Sequence, residues 1–541
     1  MKTGVWKWPL LVIILAVVGY LYLRPRATDD VGSPLTIALE SELERLDPST
    51  IKNPKSFVLA WQIYEGLLGL DTAGNVIPVL AESWSTTDNK VWTFKLRKGV
   101  HFHSSALFGS DGQSRELTAD DALWSYTKYC SKEAYLGFLF TDTVLGCADY
   151  NGGKAQTVQG LRVVDASTFE ITLNRAEPFF LYRLTTAWPA IYPKEADNPA
   201  IKDKWGLSMA VGTGPYRLAS ASPTEYLLVA NEAYWNQQAV PQVKKLAYRV
   251  ISNDQARLAE FKRGALDIMS LPGSLAPTVL KESGALSDDL AKIASAKTIA
   301  LFNANLIGFN LRSMQDVHLR RAMNFAVNRK QLVEKVLYGH GDVTAGPTPP
   351  NMNGYKAAVD PVSLYDLPKA KAELAKSGYK GEEIELLVHD QANSEQVGQI
   401  VQAQLKDIGI SVKLTRVDLN SSIGRAIKGE AAMFSMFADI VFSSPEPMLI
   451  NLFSSAKRPV PNFWQYSNPE VDQMLDSLRD LKSPAESVAR AAVIEAKVLE
   501  DVPAIFLYRQ RPVVLTSPRA SGLEINGHGH FFFSRLTKPA S

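Results

Sequence analysis

The segment VWTFKLRKGV, Val91 to Val100, alternates apolar and polar side chains from Trp92 to Leu96 and then turns at Lys98-Gly99. Period-two alternation puts Trp92, Phe94 and Leu96 on one face, which predicts a half-buried strand ending in a turn. Working outward, Thr118-Ala119-Asp120-Asp121 has capping-box form and opens a helix that runs through Tyr129. Leu161 to Val164 and Thr168 to Leu173 read as a hairpin around Asp165-Ala166-Ser167. Upstream, Leu35 to Leu39 reads as a strand. Downstream, Gly212-Thr213-Gly214-Pro215 is a turn leading into Tyr216-Arg217-Leu218. Asp316 to Leu337 has helical apolar spacing and stops at Gly339, and Pro368 starts a helix ending at Gly378. Ser394 to Asp407 is a further helix feeding the strand Ile410 to Val417, and Pro469 to Leu481 and Ala485 to Glu500 are helical. Strands and helices alternate without internal repeat or low-complexity linker, which argues for mixed α/β domains.

The chain has 541 residues, with 58 Lys+Arg against 56 Asp+Glu, and is 46% hydrophobic and 21% charged. At roughly 150 residues per domain this predicts two to four domains. The composition excludes a disordered, collagenous or polytopic membrane protein. The balance of +2 points to no nucleic-acid partner.

The N-terminus sets the compartment. Lys2 and Lys7 precede an uncharged run from Leu10 to Leu23, which Arg24-Pro25-Arg26 stops. That is an n-region and an h-region. The run ends on Tyr20-Leu21-Tyr22-Leu23 rather than on small residues, and no Cys follows it, so an uncleaved signal anchor is expected over a cleaved signal peptide. With Trp6 and Trp8 the span approaches the ~20 residues that cross a bilayer. Residues 1–28 carry four basic residues, and without them the balance is 54 against 56. Export fits the cysteines. Cys130 and Cys147 are the only two, and an oxidising compartment permits a disulfide worth about 3 kcal/mol, two buried free thiols being the alternative.

No H-E-x-x-H, G-x-S-x-G, Walker A or dinucleotide fingerprint occurs. Ser49/Lys52 and Ser454/Lys457 match S-x-x-K, a pattern expected by chance in a chain of this length. His101 and His103 share a face if they lie on a strand, and His528 and His530 repeat the spacing. Exposed strand histidines are the simpler reading than a metal pair. No carboxylate pair stands out, so neither a catalytic site, a metal nor a cofactor is expected.

Several blocks together resemble the oligopeptide- and dipeptide-binding proteins of ABC importers, the family-5 extracellular solute-binding proteins. They are Tyr64-Glu65-Gly66-Leu67-Leu68, Pro78 to Trp84, Val91 to Val100, Leu117 to Asp121, Val211 to Tyr216, Asn231 to Trp235 (NEAYW), Phe309-Asn310, Leu319 to Ala322 and Val327 to Lys330. Each is weak alone; their order and spacing hold from about residue 35 to 515.

The resemblance implies a two-lobed periplasmic-binding-protein fold, α/β, with a hinge and an additional small domain (type II, cluster C-like). Lobe I would take residues 35–63, 175–285 and 485–541, the small domain 64–174, and lobe II 286–484. It also implies a non-enzymatic, extracytoplasmic carrier, which the anchor read from residues 10–23 would tether to the cytoplasmic membrane. This carrier, a monomer, would close on a peptide-like solute and deliver it to an ABC permease. Members of the family also carry nickel, haem, sugars or opines, and a membrane-tethered sensor or envelope protein is a further alternative.

In the peptide-binding relatives an Asp after a short extended segment holds the ligand ammonium. Met433-Phe434-Ser435-Met436-Phe437-Ala438-Asp439 resembles that segment, nominating Asp439, with Phe434, Ser435, Met436, Phe437 and Ala438 pairing with the ligand backbone. Met436 or Phe437 stands where the family has Trp, and Ile440 to Pro445 intervene before Glu446-Pro447. Ser56 to Ala60 would supply a first-lobe wall, and Arg416, Arg425 and Lys428 are candidates for the ligand carboxylate.

Overall fold

Leu35, Ile37 and Leu39 alternate with half-buried neighbours, and the strand Leu35–Leu39 is buried on that face. It pairs in parallel with Lys245–Val250 on one side and at Ile37 with Ile268 on the other. In the computed structural model the chain is described from residue 33 to 536, except for 52–53, 73, 110–111, 136, 186–188, 282, 351, 353–354, 358, 391–392, 440–443 and 482–483. The expected anchor, residues 10–23, lies outside the described residues. No helix among those described is long and apolar enough to cross a membrane.

Three sheets organise the chain. A seven-stranded mixed sheet runs, in spatial order, Tyr216–Ala221, Glu225–Ala230, Lys245–Val250, Leu35–Leu39, Ile268–Leu271, Val513–Thr516 and Ser295–Thr298. A six-stranded sheet runs Gly341–Val343, Ala504–Gln510, Asn303–Phe309, Met433–Asp439, Ile384–His389 and Val412–Val417. A four-stranded antiparallel sheet holds Ala81–Ser85, Val91–Leu96, Thr168–Thr172 and Leu161–Asp165. In it Trp92, Phe94 and Leu96 are all buried, as their alternation predicts. Its helix Ala119–Tyr129 is capped at Thr118, whose backbone N–H donates to the Asp121 carboxylate at 3.0 Å. Cys130 and Cys147, at the ends of this helix and of the next loop, form a disulfide with Cα atoms 5.3 Å apart.

By sheet membership the chain passes from the seven- to the six-stranded sheet between Thr298 and Asn303, and back between Gln510 and Val513. Both crossings come later than the boundaries 286 and 485, because Ser295–Thr298 pairs with Val513–Thr516 and Ala504–Gln510 pairs with Asn303–Phe309. The two crossings are bonded to each other. Gln510 N–H donates to Asn303 Oδ1 at 3.0 Å, Ile299 N–H to Pro512 O at 2.9 Å, and the Arg509 guanidinium to Asn303 O. The helices Pro445–Phe453, Pro469–Ser477 and Pro484–Glu500 pack together and cover one face of the six-stranded sheet, where Trp464 stacks on Phe434 with centroids 6.3 Å apart.

The helical spacing from Asp316 to Leu337 resolves into two helices, Val317–Ala326 and Arg329–Val336. Asn328 breaks them: its backbone is extended and its side chain accepts the Gln331 N–H at 3.0 Å, a local bond that competes with helix continuation. Arg329 is buried there and donates to Phe506 O at 2.7 Å and to Val327 O at 3.1 Å, fastening the break to the sheet.

Candidate functional site

Three of the sequence blocks meet at one carboxylate. Glu65 of Tyr64-Glu65-Gly66-Leu67-Leu68 is held by a short strand pairing with Ala190–Ile191. It accepts from Thr213 Oγ1 of the glycine turn at 2.8 Å, and from Tyr234 Oη at 2.6 Å and Trp235 Nε1 at 2.9 Å of NEAYW. Burial pushes its pKa up while the three donors pull it down. A buried carboxylate is tolerated when its lone pairs are filled. The three blocks are thus tied together by a structural carboxylate, and Tyr216 beside the turn is buried.

His103 serves the same turn. The segment around His101 and His103 is not a strand beyond one bridge, so the two histidines do not share a face: His101 is exposed and His103 buried. The His103 ring bonds Gly214 O through Nε2 at 2.8 Å and accepts Gly212 N–H at Nδ1 at 3.3 Å. Those partners fix the neutral tautomer, and burial pushes its pKa down to about 4. His528 and His530 also lie in a turn, not on a strand, and both backbone N–H groups donate to Asn526 Oδ1. His530 stacks between Trp61 at 4.8 Å and Phe532 at 4.4 Å, and His528 stands edge-on to Phe302 at 5.0 Å. Removal from water pushes the two imidazoles down to about 4 (His528) and about 3 (His530), so both are neutral at pH 7. Among the described residues no group of three or more His, Cys, Asp or Glu is placed to hold a metal.

The strand Met433–Asp439 is central to the six-stranded sheet. Met433 and Phe434 are paired on both edges, with Phe309 and Gly308 on one side and Leu386 and Leu387 on the other. From Ser435 to Asp439 the ladder with Asn303–Ile307 continues, but no strand pairs with the opposite edge among the described residues. Phe434 is thus committed to the sheet, its ring buried against Trp464. The Ser435 hydroxyl is also turned inward, bonded to Ser394 Oγ at 2.5 Å, and Met436 is half-buried. The side chains of Phe437, Ala438 and Asp439, and the segment 440–443, lie outside the described residues. The backbone of Asp439 stands opposite Asn303.

That end of the strand adjoins the first sheet. Phe302 N–H donates to Gly527 O at 2.7 Å, which seats the Asn526–His530 turn beside the Asn303–Asp439 register. Behind the turn lies a pocket of about 260 Å³, lined by Trp61, Glu65, Trp235, His528, His530 and Phe532 among others. A smaller one of about 160 Å³ opens at the end of the Leu35–Leu39 strand, between Glu40, Ser41, Arg257 and Phe531. Arg416 and Arg425 are engaged elsewhere, with Glu395 at 3.4 Å and Glu385 at 2.6 Å. Glu446, two residues past the Ser444 that donates to it, is buried, and burial pushes its pKa up.

Two α/β units joined by a bonded pair of crossings, with a third domain and, at their junction, a strand edge without a partner among the described residues, define a two-lobed binding protein. Residues 75–459 match the family described as bacterial extracellular solute-binding proteins, family 5 (middle part), and the chain belongs to that family. Its members are solute-binding proteins rather than enzymes. The chain is 26% identical over 495 residues to heme-binding protein A of Haemophilus influenzae, covering 87% of this chain and 86% of that one. It is 26% identical over 511 residues to glutathione-binding protein GsiB of Pectobacterium atrosepticum, covering 90% and 91%. Its fold is similar to the ABC transporter-associated periplasmic binding protein DppA of Helicobacter pylori in complex with the peptide STSA. That comparison gives a TM-score of 0.76 at 23% identity, over 94% of this chain and 98% of that one.

Proposed function

We propose that the protein captures a short peptide between its two lobes and delivers it to an ABC permease. The observation that carries this reading is the edge of Ser435–Asp439, which lacks a strand partner among the described residues and ends where the two sheets meet. An extended peptide can add to such an edge through main-chain hydrogen bonds, independently of its side chains. Water in the flanking pockets tolerates side-chain variety. Asp439, closing that edge, is the group we assign to the ligand ammonium. The glutathione-binding relative and the peptide complex of the structural relative support a peptide cargo. Residues 10–23 hold the carrier, a monomer, to the cytoplasmic membrane.

Native mass spectrometry of the protein purified without refolding tests this. A ladder of bound masses matching short peptides supports a sequence-tolerant carrier. A single non-peptide mass, haem included, keeps the fold and overturns the cargo. Normal uptake with altered signalling after deletion replaces transport by sensing.

A further inference from the structure

The four-stranded domain is fastened to the first lobe by buried contacts: Tyr129 Oη donates to Ala190 O at 2.9 Å, and His103 holds the glycine turn. On its far side it touches the helices that cover the six-stranded sheet, and there the contacts are ionic. Glu177 follows the strand Thr168–Thr172 and is tied to this domain by its N–H to Asn89 O at 2.8 Å. Its carboxylate faces two guanidinium groups. Arg183, on the helix Phe180–Thr185, belongs to its own side and also reaches Leu139 O at 3.5 Å. Arg479, at the end of the helix Pro469–Ser477, comes from the other lobe, 3.5 Å away. Side-chain exposure is 3% for Glu177, 4% for Arg183 and 11% for Arg479, so the cluster is screened from water. Two rim pairs flank it, Lys457–Asp142 at 2.7 Å and Arg175–Asp476 at 3.5 Å.

These three pairs join residues of the first lobe and its extra domain to residues of the 303–510 unit, and none of the six residues belongs to the crossings at 299–302 and 511–512. A rotation about those crossings must separate them, while Glu177–Arg183 stays intact. We propose that Arg479–Glu177, with Lys457–Asp142 and Arg175–Asp476, is an electrostatic latch that biases the two lobes toward the closed arrangement, in which these pairs are made, and releases them as the exposed rim pairs are screened or the buried pair is broken. Arg479 is the moving key: when it leaves, Glu177 remains neutralised by Arg183, so opening strands no buried carboxylate. The proposal rests on the hinge in the function proposed above, but its test uses no ligand.

Cysteines placed at the exposed Lys262 and Lys371, one on each lobe, are labelled as a fluorescence pair with the native disulfide intact. The distance distribution of the ligand-free protein is then followed as NaCl rises from about 0.05 to about 0.5 M. The separated population should grow with salt. Lys457→Glu should raise the separated-to-closed ratio by up to about fivefold at low salt. Asp142→Lys in that background should restore the ratio. Arg479→Glu should open the protein further, and the rim swap keeps the test decisive if that buried variant fails to fold. A distribution unmoved by salt, by Lys457→Glu and by the swap overturns the latch. A salt-sensitive latch with a single non-peptide mass in native mass spectrometry leaves the latch standing and overturns the peptide cargo.

Discussion

Acidification should act on the glycine turn through His103. The ring is neutral in the folded protein, its pKa pushed from 6.5 to about 4 by burial between Gly212 and Gly214. In the unfolded chain it titrates at the ordinary value. Between these two values the unfolded state binds the proton and the folded state does not. The contribution of His103 is therefore complete above about pH 7 and falls as pH falls from 6.5 toward 4. At pH 5 the loss is about 2 kcal/mol, from about 1.4 kcal/mol for each of the roughly 1.5 pH units below 6.5. The comparison variant is His103→Gln, which cannot titrate. Every other titrating group is common to both proteins, so the gap in urea-unfolding free energy between wild type and variant isolates this ring. The gap should shrink by about 2 kcal/mol between pH 7.5 and pH 5.0. A gap that stays constant across that range refutes the neutral, enclosed imidazole and with it the account of the turn.

Asp439→Asn should weaken peptide binding by about 3–5 kcal/mol, chiefly through the ammonium left buried without its partner; unchanged affinity in titration calorimetry sinks the assignment. Replacing Cys130 and Cys147 by Ser should cost about 3 kcal/mol for a sequence separation of 17. Dithiothreitol should lower the melting temperature of the wild type to that of the variant, and an unchanged melting temperature would count against the disulfide. Gly212→Ala would put a Cβ 2.1 Å from Ile63 O, a backbone atom that cannot swing aside. A loss of about 1–3 kcal/mol is expected, and a melting temperature equal to the wild type would contradict the close approach.

Much of this fold was legible in local pattern. The Trp92-Phe94-Leu96 face, the Thr118 cap and the 161–172 hairpin follow from period and turn chemistry, and their residues sit as those rules require. The places where local reading failed are places where distant residues decide. The helical pattern from Asp316 to Leu337 is broken by the local Asn328 bond to Gln331 N–H, and what holds the break in place is a distant partner, Phe506 O, bonded to Arg329. His103 was read as an exposed strand residue, since nothing nearby announces the Gly212–Gly214 turn that encloses it. The crossings at 299–302 and 511–512 leave no compositional mark, because both flanks are ordinary strands. At the candidate site the strand itself was legible, but which of its residues are occupied was not. Phe434 is taken by Leu387 on its backbone edge and by Trp464 on its ring, while Ser394 takes only the hydroxyl of Ser435. One signal went unused: an acidic residue inside the apolar run Tyr64 to Leu68 must be buried with donors, and Thr213, Tyr234 and Trp235 are those donors.

The seven-stranded sheet carries a consequence for the order in which the protein can be made. Its strand Val513–Thr516 lies between Ile268–Leu271 and Ser295–Thr298, although it is the last strand among the described residues. Ser295–Thr298 has no neighbour in the sheet until those four residues arrive, and Ile268–Leu271 presents an unpaired edge for as long. The first lobe is thus begun first and finished last, while the 303–510 unit lies contiguous between the two crossings, its own late strand Ala504–Gln510 arriving just ahead of Val513. A ribosome that pauses before Val513 holds a chain whose first sheet stops at Ile268–Leu271, with Ser295–Thr298 unplaced, the kind of edge that recruits chaperones or other chains. Closure of that sheet is coupled to the arrival of Val513–Thr516, about 215 residues after Ser295–Thr298.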